Sequence, residues 1–116
     1  MLWATGGLGL ARYGLTGRAG GVSEPPYDLL NLAGHVGDDA AAVAQNRARL
    51  LAALPGARRL ALMNQVHGCA VAVDPAHPEA PGADAVVITE PGVVATVLTA
   101  DCVPVLLAGR DDPVVA

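Results

Sequence analysis

The hydrophobic pattern of this chain changes from the period of a helix to that of strands, and this change restricts the possible folds most. Asp38 or Asp39 can cap a helix by accepting hydrogen bonds from its first backbone N–H groups, and Pro55-Gly56 ends it. The apolar positions between these signals fall on one helical face and are Val43, Leu50, Leu51 and Leu54. The pattern therefore predicts one helix between these two boundaries.

Short aliphatic runs between turn residues follow the helix and are typical of strands. They cover residues 60–66, 70–73, 85–88, 93–99 and 105–108. A further strand is predicted near residues 10–15, and the segments 18–27 and 74–82, which are rich in Gly or Pro, are predicted loops. Residues 93–98 are apolar on both alternating faces, which indicates a sheet covered on both sides. We expect a layered α/β or α+β fold in a single domain.

Composition and charge exclude several classes of partner. The hydrophobic fraction of 53% is sufficient for a core, and the absence of Phe means that this core consists of small aliphatic side chains. A net charge of -4, without any Lys, argues against a nucleic-acid partner. No apolar run is long enough for a membrane span, and the N-terminus lacks the pattern of a secretion signal, so we expect a cytoplasmic protein. In such a protein Cys69 and Cys102 are expected to be free thiols, catalytic groups or metal ligands rather than a disulfide.

Two segments contain residues that composition does not explain. In Asn64-Gln65-Val66-His67-Gly68 an imidazole precedes a glycine at the end of a predicted strand, although a lone His in this position is more often a surface or core residue. In Thr99-Ala100-Asp101-Cys102-Val103-Pro104 a carboxylate and a thiol follow a very apolar strand. Cys102 is either inert packing or, if a cation stabilises its thiolate, a nucleophile or ligand. The residues alone favour neither reading.

These two segments resemble motifs of a known family when they are taken with four others. The others are Leu29-Leu30-Asn31-Leu32, His35-Val36-Gly37-Asp38-Asp39, Asn46-Arg47 and Ala83-Asp84-Ala85. In order and spacing the set is similar to the bacterial laccase-domain family, also called multicopper polyphenol oxidase-like, whose members are described as purine nucleoside phosphorylases. The resemblance extends from about Arg12 to Ala116.

The resemblance implies a fold related to the catalytic domain of cytotoxic necrotizing factor and a metal held by two His and one Cys. The matching ligands here are His67 and Cys102, which would also be catalytic. The third ligand would belong to a His-Ala-Gly-Trp-Arg-Gly motif, which these 116 residues do not contain. We therefore expect this chain to be the front half of the family domain and, when alone, to be weakly active, poorly stable and prone to associate. One thiolate and two imidazoles suit zinc, with copper as the alternative, and leave a coordination position open.

Other residues acquire possible roles from the same resemblance. Asp101 would act as a catalytic base or orient a ligand, or it would only hydrogen-bond the strand end. Gln65 and Arg47 are candidates for substrate binding, although a salt-bridged surface position is the default for Arg47. His35 is expected in an exposed loop. Cys69, two residues after His67, would share its face in an extended strand and is a possible substitute ligand.

The resemblance implies metal-dependent phosphorolysis of adenosine, inosine and methylthioadenosine, together with adenosine deamination. Its partners would be a purine nucleoside and phosphate, and the oligomeric state stays open. A Cys-His hydrolase or amidase acting on peptidoglycan precursors is the alternative enzyme. Copper-dependent polyphenol oxidation is a weaker one, because a lone three-ligand site lacks the several coppers that this chemistry needs. An inactive fragment is the non-enzymatic alternative.

Overall fold

In the computed structural model, which describes residues 1–78 and 80–116, two strands precede one helix and four short strands follow it. In this part of the chain the elements are β1 (Leu2–Leu8), β2 (Ala11–Thr16), α1 (Ala40–Ala52), β3 (Arg59–Ala61), β4 (Val71–Val73), β5 (Ala85–Val87) and β6 (Val93–Ala95). This order confirms a mixed α and β class. Contacts divide the chain into two compact units, one of residues 1–6 and 13–56 and the other of residues 7–12 and 57–116.

In the first unit, α1 forms where the hydrophobic pattern predicts a helix. Asp39 is its N-cap, since the carboxylate accepts a hydrogen bond from the backbone N–H of Ala41 at 3.1 Å. Val43 and Leu50 are buried, as their spacing predicts. The buried face also includes the polar Asn46, which an apolar pattern does not identify.

Asn46 is fully buried and anchors the irregular segment that precedes α1. Its Oδ1 accepts the backbone N–H of Val22 at 2.8 Å. Its Nδ2 lies within hydrogen-bonding distance of Ser23 Oγ at 2.9 Å and of the carbonyls of Leu29 and Asn31 at 3.1 and 2.9 Å. One buried amide thus pairs with several backbone groups of a segment that forms no strand.

The strands β1 and β2 pair with each other in a two-stranded sheet. The sequence predicts β2 but not β1, whose residues include two adjacent glycines. At Gly6 a Cβ atom would lie 2.6 Å from Tyr13 Oη, so the ring of Tyr13 occupies the space of a side chain. The glycine that weakens the strand pattern is thus required for packing.

In the second unit, two parallel strand pairs surround a small aliphatic core. β3 pairs with β6 and β4 pairs with β5. The buried core residues are Ala61, Met63, Ala83, Val86, Ile88 and Val93. This composition agrees with the expectation of a core without large aromatic rings.

Most strands of this unit are shorter than predicted, because a hydrophobic run forms a ladder only where a neighbouring backbone lies beside it. The strand predicted at 93–99 ends at Ala95, and beyond it the N–H of Thr96 donates to the carbonyl of Ala61 at 3.0 Å. The strand predicted at 60–66 ends at Ala61. Of residues 105–108 only Ala108 forms a bridge. The described strands form three two-stranded sheets rather than one layered sheet.

The last residues continue the pairing of β5. Val115 exchanges backbone hydrogen bonds with Ile88 at 2.8 and 3.0 Å and bridges Ala108 on its other side. After Pro113 the strand pairing is limited to the single bridging residue Val115. The loop predicted at 74–82 is irregular at its described positions apart from an isolated bridge at Gly82, and Glu79 lies outside the described residues. None of the described residues form a helix that is long and apolar enough to cross a bilayer.

Candidate active site

Both predicted site motifs follow strands of the same parallel pair. Ala61, the last residue of β3, lies opposite Ala95, the last residue of β6. Because parallel strands run in the same direction, their carboxyl ends meet at one edge of a sheet, where α/β proteins commonly build their sites. From this edge β3 leads into the loop with His67 and β6 leads into the segment with Cys102.

A side-chain hydrogen bond joins these two segments. Gln65 Nε2, two residues before His67, donates to the carbonyl oxygen of Leu98 at 2.9 Å. Leu98 lies just before the Thr99-Ala100-Asp101-Cys102 motif. Gln65 therefore has a structural contact, and its predicted role in substrate binding stays a prediction.

The loop at His67 is a tight turn around the carboxylate of Asp84. Asp84 Oδ1 accepts the backbone N–H groups of Val66 and His67 at 3.1 and 2.8 Å, and Oδ2 accepts that of Gly68 at 2.8 Å. His67 has a φ of 55°, in the left-handed region. The hydrogen bond from Gly68, followed by those from His67 and Val66, holds the pKa of the Asp84 carboxyl below its usual value, and the charge of His67 acts in the same direction.

Sequence reasoning gave Asp84 no role of its own. The N–H groups that it accepts lie 16 to 18 positions earlier in the chain, so no local motif reveals the interaction. The available signal was a carboxylate directly before a predicted strand, within a segment that matches the family pattern.

The turn overturns the prediction that His67 and Cys69 share one face of an extended strand. With three successive N–H groups directed at Asp84, the backbone at His67 is left-handed, and the alternation of an extended strand is lost. Cys69 and Cys102 are both free and exposed, as expected for a chain without a disulfide.

The donor types of the candidate site suit a metal, but the described residues do not complete a set of ligands. His67, Asp101 and Cys102 are exposed, and an imidazole with a thiolate is a donor pair that zinc or copper binds. Among residues 1–78 and 80–116, no group of three His, Cys, Asp or Glu side chains is placed to hold a metal ion.

Arg47 lies in the first unit and is half-buried rather than on the surface. Its Nε donates to the carbonyl of Leu32 at 2.9 Å, and burial lowers the pKa of the guanidinium. No carboxylate in the described part of the chain pairs with it, so the salt-bridged alternative is not observed. Its role toward an anionic substrate stays a prediction. His35 is exposed, as expected for its loop.

Comparison with known proteins places the chain in a family. Residues 12–116 match the model of the multi-copper polyphenol oxidoreductase laccase family. The chain belongs to this family, and relatives of it carry the name purine nucleoside phosphorylase.

One such relative, from Mycobacterium bovis, is 55% identical over 97 residues, which cover 80% of this chain and 38% of the relative. Another, from Streptomyces coelicolor, is 53% identical over 110 residues, covering 90% of this chain and 43% of the relative. A crystal structure from Neisseria meningitidis matches with a TM-score of 0.73 at 41% identity, over 84% of this chain and 40% of that one. The chain thus spans less than half the length of the relatives that it matches. A relation to the necrotizing-factor fold stays a prediction.

Proposed function

We propose that this chain carries part of the active site of a metal-dependent purine nucleoside phosphorylase. The reaction would break the bond between the base and the ribose of adenosine, inosine or methylthioadenosine, with phosphate as the entering group. The observation that supports the proposal most is the parallel pairing of β3 with β6, because the segments with His67 and Cys102 both continue from the carboxyl end of this pair. The names of the relatives support the substrate class. Deamination of adenosine is proposed as a second activity of the same centre.

The proposed roles follow from the chemistry of each side chain. His67 and Cys102 would be two of three metal ligands, with the third supplied from outside the described residues. When bound, zinc, or copper as the alternative, supplies Lewis acidity at an open coordination position. Asp101, exposed beside Cys102, would accept a proton or orient a ligand. Gln65 would hold the His67 segment against the chain at Leu98 while contacting substrate.

The chain offers a matched pair of cysteines for the test, because Cys69 and Cys102 are both exposed and free. Removing a group that only orients a metal ligand lowers metal affinity by up to about 100-fold. We therefore expect Cys102→Ala, which would remove a ligand itself, to lower zinc affinity by at least about 100-fold. It should also abolish phosphate-dependent release of base from adenosine. Cys69→Ala should retain both properties. Elemental analysis and a base-release assay measure these effects, and equal losses in the two variants would place Cys69 in the site.

Treatment with a chelator separates this proposal from the other enzymatic functions. Phosphorolysis should stop when the metal is removed and return when zinc is added. A Cys-His hydrolase would keep its amidase activity in the chelator, because its thiolate would be free to attack. Oxygen consumption with a phenol and copper, without phosphorolysis, would instead indicate a polyphenol oxidase.

A further inference from the structure

The strongest structural feature near the candidate site, apart from the ligands themselves, is the carboxylate that holds the turn at His67. We infer that Asp84 is a positioning residue, which fixes the backbone of His67 by accepting three consecutive N–H groups and so sets where the imidazole is presented. This inference rests on the proposed function insofar as His67 is a ligand. Asp84 itself acts through the backbone of the loop and is assigned no contact with substrate.

The geometry requires an acceptor on both oxygens of residue 84. Oδ1 accepts from Val66 and His67, and Oδ2 accepts from Gly68. An ionised carboxylate only accepts hydrogen bonds, whereas the amide of an Asn replaces one oxygen by a donor. With Asn, the two bonds to Oδ1 can persist, but the bond from Gly68 is lost. Successive N–H groups that converge on one anion form an anion-binding concavity called a nest. Because both oxygens of residue 84 accept hydrogen bonds here, the nest requires an ionised aspartate at this position.

His67 needs such support because its backbone conformation is uncommon for a residue with a side chain. Its φ of 55° lies in the left-handed region, which residues other than Gly rarely occupy without a compensating interaction. No other hydrogen bond from the backbone N–H of His67 is present among the described residues. The hydrogen bonds to Asp84 therefore hold the turn in place.

Asp84 is itself rigidly placed. Its backbone N–H donates to the carbonyl of Ala70 at 3.0 Å, and it directly precedes β5. The preceding Ala83 is buried in the core and donates its N–H to the carbonyl of Asn64 at 3.1 Å. A side chain fixed at the core thus holds an exposed loop, so the position of His67 is coupled to the packed part of the unit.

The test compares Asp84→Ala and Asp84→Asn with Asp74→Asn as a matched control. Asp74 is also a loop carboxylate of the second unit, with a positive φ of 42°, and accepts hydrogen bonds from the N–H and hydroxyl of Thr89 at 2.8 and 2.7 Å. Three measurements are made on the whole chain. Hydrogen exchange and the intra-residue amide-to-Hα NOE report the turn at residues 66–68, and titration with Co²⁺, followed by its visible absorption, reports metal binding.

In Asp84→Ala we expect the amides of residues 66–68 to exchange at least about tenfold faster, the strong NOE of His67 to disappear, and Co²⁺ affinity to fall about tenfold or more. Asp84→Asn should give an intermediate result with the largest change at Gly68, and Asp74→Asn should leave all three amides unchanged. Unchanged exchange and NOE in Asp84→Ala would overturn the inference, as would equal loosening in Asp74→Asn. A loosened turn with Co²⁺ affinity unchanged would also overturn it. If the unsubstituted chain gave no His- or Cys-bound Co²⁺ spectrum while the turn loosened as expected, the proposed metal site would fail and the placement of His67 by Asp84 would stand.

Discussion

At the level of single residues, one buried amide determines how the segment before α1 is held. Asn46 is the largest polar side chain without exposure to solvent, and all of its partners lie in the preceding irregular segment. Its Oδ1 and Nδ2 are both engaged, so the amide adds to the few backbone hydrogen bonds that this segment makes. Its neighbour Arg47 points a guanidinium at the same segment, through Leu32.

We predict that Asn46→Ala lowers the free energy of unfolding by about 3 kcal/mol, because it leaves buried donors and acceptors without partners. Gln45→Ala is the control, since Gln45 is exposed on the same helix and alanine is a good helix former. Urea denaturation of both variants measures the difference. A loss in Asn46→Ala no larger than that in Gln45→Ala would show that the buried amide does not hold the segment.

Single residues also explain what the sequence could and could not predict. The cap at Asp39 and the buried Val43 and Leu50 follow from local spacing, and the structure confirms them. The burial of Asn46 depends on carbonyls that lie 15 and 17 positions away, so no local pattern contains it. The same holds for Asp84, whose role depends on a turn formed far along the chain.

At the level of elements, β3 to β6 were predicted in place but not in length, and β1 was not predicted. The position of each run follows from its aliphatic residues, but its length depends on which backbone lies alongside, and this is a tertiary property. The run at 93–99 is a strand only over Val93–Ala95, where β3 provides the partner. For the candidate site, the two motifs were identified from the sequence, whereas the parallel pairing of the strands that precede them was not.

Three connecting segments each contain a carboxylate that accepts hydrogen bonds within the segment or from a neighbouring one. Because these hydrogen bonds need the ionised carboxylate, the stability that they provide depends on pH. Asp38 is the clearest case: hydrogen bonds from Ser23 and then Asn31 hold its pKa below the usual value. The pKa values of Asp74 and Asp84 are lowered for similar reasons. Stability from a carboxylate with a lowered pKa is present above its unfolded pKa, about 3.9, and is lost as the pH falls through the folded value.

We therefore predict that the melting temperature decreases as the pH falls below about 4, and that Asp38→Asn makes this decrease shallower. The substitution removes one group that must be protonated on unfolding in acid. Thermal unfolding followed by circular dichroism from neutral to acid pH measures both slopes. Equal slopes in the variant and the unsubstituted chain would contradict a contribution from Asp38.

At the level of the whole molecule, apolar side chains on the segment after Cys102 are left uncovered within the second unit. Val103, Val105 and Leu107 are 87%, 72% and 62% exposed, at alternate positions of the segment. Exposed apolar surface of this kind favours association. If the chain associates as expected, Val103, Val105 and Leu107 are the side chains that we expect to form the contact.

We predict that the double substitution of Val103 and Val105 by Lys reduces self-association without lowering the melting temperature, because both side chains contact mainly solvent. Sedimentation velocity over a range of protein concentrations measures association. Leu106→Lys is the control, since Leu106 is half-buried and should lose stability instead. Identical sedimentation of the double variant and the unsubstituted chain would exclude this segment as the associating surface.

The parallel pairing of β3 with β6 also has a consequence for biosynthesis. A ribosome releases β3 well before β6, and the register joins Arg59 to Val93 across everything between them. Until Val93–Ala95 has emerged, the nascent β3 lacks this partner, and the Gln65 amide lacks the Leu98 carbonyl. The strand pair and the hydrogen bond that connect the two segments therefore form only late in translation, after β4 and β5 have been made.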